Sequence, residues 1–240
     1  MTLAAAAATV TISSSAAAGA DDGPSRIDVE STSTAIPLQP GSTAQDESTR
    51  FRRVNARTVR ADSVATASSS CDGCTASAVT LQMIYARNVR TLTGDNVATA
   101  WSTCTNCGAT ALSVQVVIAR QAQTINAANK SLALNVVCVE CETKAAAIQI
   151  VIVTPSHREP SQAALARGED LRDELLAELH ALPSSAARSA VPASPNGRAA
   201  GPTTSPVPPT MLSTTEQIQS IFAKDLGATS ARHDIQVRTQ

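Results

Sequence analysis

The chain has 240 residues, a formal net charge of −1 at pH 7 and only 2% aromatic residues. Near-neutrality removes any global electrostatic drive toward nucleic acid. Trp101, Tyr85, Phe51 and Phe222 are fewer large rings than a conventional enzyme core uses. Apolar content is instead Ala and Val, which suits thin, closely packed layers.

In chain order, Leu3–Ile12 is a short apolar stretch, followed by Ser13–Ala17 and then Ala18-Gly19-Ala20. An apolar run ending in an A-x-A site predicts a secretory signal peptide over 1–20 and an extracellular or cell-surface location. No Lys or Arg precedes the run, so a truncated signal is expected. Ser, Thr, Pro, Gly and Ala dominate 21–50 and 183–212. Such composition buries too little apolar surface to offset ordering entropy, so 21–53 and 183–212 are read as disordered linkers. Arg50, Arg52, Arg53, Arg57 and Arg60 form a local basic patch. It could attract anionic wall polymers or lipid headgroups, but a solvated strand edge or linker is the favoured reading. No aromatic interleaving suggests nucleic-acid binding.

Self-similarity dominates the middle of the chain. Cys71-Asp-Gly-Cys74, Cys104-Thr-Asn-Cys107 and Cys138-Val-Glu-Cys141 recur at intervals of 33 and 34 residues. Gln82, Gln115 and Gln149 each stand eleven positions after the first cysteine, and Ala78, Ala111 and Ala145 seven after it. Thr58-Val59, Thr91-Leu92 and Thr124-Ile125 match upstream. The module is therefore assigned to 54–153, with units 54–86, 87–119 and 120–153.

After each second cysteine the residues alternate. One face carries Val79, Leu81, Met83 and Tyr85, then Leu112, Val114, Val116 and Ile118, then Ala146, Ile148, Ile150 and Ile152. The opposite face is small residues followed by the glutamine. Period-two alternation with β-branched residues predicts strands. A second short run precedes each motif, at Val64–Ser70, Val97–Thr103 and Leu132–Val137. The expected fold is mainly β: three tandem hairpin-like repeats in a small sheet or solenoid, each turning at its Cys-x-x-Cys, followed by a helix and disordered segments. Helix is the rival, since Ala, Leu and Gln favour it. The run Ile148-Gln-Ile-Val-Ile-Val153 decides for strand. Stacking would align the three glutamines as an amide ladder, and the small-residue face would admit a second layer.

Six cysteines allow fifteen full pairings. A structural zinc ion takes four ligands, so three equivalent pairs would strand one, and His157, His180 and His233 all lie downstream of the module. Disulfides between successive units would leave unpaired ends. Bonds within each motif, pairing Cys71 with Cys74, Cys104 with Cys107 and Cys138 with Cys141, treat all copies alike and are favoured. Other pairings, a zinc site and a redox-active dithiol remain open. A thioredoxin-type reading lacks a βαβ pattern and the loop chemistry around the motif.

The second unit, Asn96-Val-Ala-Thr-Ala-Trp-Ser-Thr-Cys-Thr-Asn-Cys-Gly-Ala-Thr-Ala-Leu-Ser-Val-Gln-Val-Val-Ile-Ala119, resembles secreted actinobacterial Cys-x-x-Cys repeat proteins. Similar repeats occur in the C-terminal extracellular part of membrane proteins labelled as peptide zinc metalloproteases. The resemblance covers 54–182 and implies location and architecture. It implies no protease activity, because the chain has no His-Glu-x-x-His.

Downstream, 161–182 reads as a helix with a stripe of Leu171, Leu175, Leu179 and Leu182, ended by Pro183. It completes a segment of linker and charged amphipathic helix over 154–182. Over 213–240 a short helix and tail are expected, the helix at 214–226. Ser213-Thr-Thr-Glu216 would be its capping box, and Gly227 its C-terminal stop. No run of about 18 apolar residues follows the N-terminal segment, so no membrane span is expected. These features predict a non-enzymatic secreted structural or interaction module with a cell-envelope or protein partner, and with no catalytic residue, cofactor or metal. The alternative is an extracellular thiol–disulfide or zinc-handling protein.

Overall fold

The structure, a computed structural model, describes residues 25–120, 122–183 and 205–240. The expected signal peptide over 1–20, and residues 184–204 of the expected linker, lie outside them. The described chain runs through β1 (Arg26–Ala35), β2 (Thr43–Asn55), β3 (Thr58–Ser69), β4 (Thr75–Arg87), β5 (Thr91–Ser102), β6 (Gly108–Arg120), β7 (Thr124–Asn135) and β8 (Glu142–Thr154). Helices α1 (Gln162–Ala181) and α2 (Pro209–Leu226) follow, then β9 (Ser230–Thr239).

The strands build a β-solenoid with two sheets. One is ordered β1-β3-β5-β7 and wholly parallel. The other is β2-β4-β6-β8-β9, parallel except for antiparallel β9. The two strands of a unit turn back at the cysteines but pair with the neighbouring units instead of with each other. Each unit is therefore an arc joining two sheets. The repeat period sets this register: Thr58 pairs with Thr91 and Thr91 with Thr124, so like residues stack on like.

A fourth coil precedes the three that carry cysteines. Of the segment 21–53, expected to be disordered linker, residues 26–53 instead supply β1 and most of β2, so strand stacking begins at Arg26, ahead of the module assigned to 54–153. Ser31, Ser33 and Ala35 fill its inward positions and are buried. Where facing sheets approach closely, an inward position needs only a small side chain, so a segment poor in large apolar residues still stacks onto an existing edge.

Strands β4, β6 and β8 of the second sheet are buried on both faces. Inward, Ala76, Ala78, Ala109, Ala111, Ala145 and Ala147 meet Ala65, Ala67, Ala98, Ala100 and Ala133 of the first sheet. Beyond them Ile84 and Val117 meet Val59 and Leu92. Outward, Leu81, Met83, Tyr85, Val116, Ile118 and Ile150 pack against Leu171, Leu175 and Leu179 of α1 and Ile218 and Phe222 of α2. The alternation in the sequence thus separates a face for the helices from a face for the other sheet.

Helix α1 begins where Ser161 accepts a hydrogen bond from the Ala164 amide. The buried Arg172 on α1 donates to Thr49 of the edge strand β2. Helix α2 starts at Pro209, inside the expected linker, and the capping box at Ser213 is not its start. Proline supplies the fixed φ that suits a first turn, and Thr215 bonds back to the Met211 carbonyl within the helix. Gly227 ends it in the left-handed conformation, φ 59°. The expected tail is β9, which covers the edge of β8.

Candidate functional site

Three sets of repeated polar residues converge on the solenoid: the cysteine turns, the glutamines and a hydroxyl–amide layer. The uncovered face of the four-stranded sheet makes a fourth feature.

Each Cys-x-x-Cys closes on itself, with S–S distances of 1.90 Å for Cys71–Cys74, 2.02 Å for Cys104–Cys107 and 1.97 Å for Cys138–Cys141. The third position of each motif has positive φ: Gly73 at 68°, Asn106 at 53° and Glu140 at 55°. Gly41, at 72°, holds the matching place in the coil without cysteines. Amides at this position bridge coil to coil. Gly41 donates to the Asp72 carbonyl (2.9 Å), Gly73 to Thr105 (3.0 Å) and Asn106 to Val139 (2.8 Å). The turns therefore stack as strictly as the strands do.

Stacking does not make the three disulfides equivalent, although pairing within each motif treats all copies alike in sequence. Sγ of Cys107 lies 3.2 Å from Sγ of Cys141 and 3.9 Å from that of Cys138. All three sulfurs lie within 4.8 Å of one another. The sulfurs of Cys71 and Cys74 instead approach the Gln39 carbonyl, at 3.4 and 3.1 Å. Cys104, Cys107 and Cys141 are buried together and Cys138 is partly buried against them.

Gln82, Gln115 and Gln149 form the amide ladder that their spacing predicts. Nε2 of Gln149 donates to Oε1 of Gln115 (2.6 Å), and Nε2 of Gln115 to Oε1 of Gln82 (2.7 Å). Each also donates across to the other sheet, at the carbonyls of Asp62, Ala61 and Gly94. Buried amides are costly unless partnered, and this arrangement partners them. Gly94 makes room for it: a Cβ there would stand 3.0 Å from Oε1 of Gln115 and 3.2 Å from Nε2 of Gln149. Arg50 and Asp234 occupy the same register position on either side of the glutamines.

A neighbouring polar layer escaped the sequence reading. Ser63, Thr80 and Ser113 bond one another, and Ser113 donates to Oδ1 of Asn96 (2.6 Å). Asn96 donates to Oδ1 of Asn129 (2.8 Å), and Nδ2 of Asn129 donates to the Asp234 carbonyl of β9. The available signal was position: Ser63, Asn96 and Asn129 pair in register across the coils.

Among the described residues, no helix or strand covers the outer face of the four-stranded sheet. Thr34, Thr66 and Thr99 align across three coils, and the next outward row includes Trp101, 39% exposed. Leu132 of the end strand β7 is 41% exposed beside them. Arg60 pairs with Asp62 and Asp95 on the same face. Other arginines of the basic patch fall on the edge strand β2, where Arg53 pairs with Glu159. Of the histidines, His233 meets Gln219 through Nδ1 at 2.7 Å. No helix among the described residues is long and apolar enough to cross a membrane. No family model, no curated protein and no solved structure matches the chain.

Proposed function

We propose that the chain is a non-enzymatic secreted structural or interaction module, displaying the outer face of its four-stranded sheet to a cell-envelope component. The carrying observation is the asymmetry of the two sheets. The central strands β4, β6 and β8 of one are buried on both faces, while the other leaves a regular surface bearing Trp101, Leu132 and the threonine row in solvent. An exposed aromatic anchor beside a row of threonines suits recognition without chemistry. Disulfides and the lack of a membrane-spanning helix are compatible with an extracellular protein. The resemblance of the repeats to secreted actinobacterial proteins supports the same location.

Sedimentation with isolated cell envelopes tests this reading. The purified chain should co-sediment, and Trp101→Glu with Leu132→Glu should release it while leaving the strand circular-dichroism signal intact. Equal retention of both proteins, or no retention of the wild type, rejects it.

A second reading, thiol–disulfide or metal handling, draws on one observation: the 3.2 Å approach of Cys107 to Cys141 across two coils. A thiolate released at Cys107 would face a neighbouring disulfide directly. Disulfide mapping after limited reduction tests it, the expected product being a Cys107–Cys141 cross-link.

A further inference from the structure

We propose that the second and third Cys-x-x-Cys turns form a binding site for one thiophilic cation of the zinc or copper(I) class, opened when their two disulfides are reduced. The inference rests on the second reading above and leaves the scaffold reading untouched.

Four thiols from two Cys-x-x-Cys pairs are the ligand set that a tetrahedral thiophilic ion takes. The stack supplies them from adjacent coils, with Thr105 and Val139 bridged in register beside them. Tetrahedral Zn–S bonds of about 2.3 Å place sulfurs about 3.8 Å apart. The contacts of Cys107 with Cys141 and Cys138, 3.2 and 3.9 Å, bracket that spacing. Cys104 is held in the same buried cluster and becomes the fourth ligand once its bond to Cys107 opens. The first turn stays outside the site. Its sulfurs face the Gln39 carbonyl, and the coil beyond offers Gln39-Pro40-Gly41-Ser42, which contains no thiol.

The chemistry balances with a dithiol as reductant. Each of the two disulfides accepts two electrons and two protons, and two dithiols leave as their own disulfides. Binding of the cation then displaces the thiol protons to solvent. Burial of three of the four sulfurs favours exchange of protons for a cation over four uncompensated thiolates.

The test uses the full chain, freed of metal, reduced with a phosphine and titrated anaerobically with Co2+. The reduced protein should show sulfur-to-cobalt charge-transfer absorption saturating at one equivalent per chain, displaced by Zn2+, while the oxidised protein shows none. Cys71→Ser with Cys74→Ser should keep the full signal, and Cys107→Ser with Cys138→Ser should lose it. Absence of the band, its survival in the second variant, or loss of strand circular dichroism on reduction overturns the site. A Cys107–Cys141 cross-link without Co2+ binding overturns the cation proposal but upholds thiol exchange. Thiols that resist reduction in the folded chain overturn both.

Discussion

Gln115 donates from Nε2 to Oε1 of Gln82 across 2.7 Å, at a sequence separation of 33 residues. The bond exists because one coil of solenoid is one repeat long, so equivalent residues become neighbours. Gln115 is the middle rung, fully buried, and its loss exposes partners on both sides. Gln115→Met keeps the volume but strips the Gln82 and Ala61 oxygens of their donor. Unfolding in urea should show a loss of about 2 kcal/mol or more, from buried groups left unsatisfied at about 1–3 kcal/mol each.

Gly94→Ala should injure the same ladder without touching a glutamine. The added methyl meets Oε1 of Gln115 and Nε2 of Gln149 closer than ordinary contact. Both amides are fixed by hydrogen bonds and cannot yield freely. A cost of roughly 1–3 kcal/mol, the range for overpacked cores, is expected in denaturant titration. A melting temperature equal to that of the parent would show that the ladder shifts without penalty.

Glu140→Asn should stabilise the protein. Glu140 sits at φ 55°, where the first two cysteine turns have Gly73 and Asn106. A left-handed residue with a long side chain costs roughly 1–2 kcal/mol, and Asn tolerates the region better. An increase of about 1 kcal/mol in urea is expected, whereas Gly73→Val should move stability the opposite way.

Ala111→Leu should destabilise the packing between the sheets, because Ala111 is wholly buried among alanines of both. Three extra carbons force the layers apart at a cost of about 1–3 kcal/mol or more. Calorimetry should show a lower melting temperature. An unchanged value would mean that the layers tolerate a wider gap.

Reduction should lower stability in steps. Each disulfide closes a loop of only about four residues, worth about 2 kcal/mol in the chain-entropy model. Because the strand ladders are independent of the sulfurs, the reduced chain should keep its far-ultraviolet strand signal at 25 °C while its urea midpoint falls. Cys71→Ser with Cys74→Ser should reproduce about a third of that fall.

The fold is legible where repetition and alternation coincide. Gln82, Gln115 and Gln149 announce their ladder through spacing alone, and Val79, Leu81, Met83 and Tyr85 announce one buried face. The first coil is illegible by the same criterion. It has no cysteines, and Ser31, Ser33 and Ala35 read as linker composition unless an edge is already present to receive them. Strand β9 is hidden for a related reason: Ser230–Thr239 acquires its register only from β8 and its burial from the end of the solenoid.

The sequence by itself determined the period and the strand character, because these depend on alternation between neighbours or on exact recurrence, and it favoured closure within each Cys-x-x-Cys without excluding other pairings. Only the tertiary structure decided that the strands of one unit part into two sheets, and that the glutamines face inward while Trp101 faces solvent. It also decided that Cys107 touches Cys141 while Cys71 and Cys74 face a carbonyl. Those relations arise between coils, where a partner's position is fixed by the packing of everything stacked between.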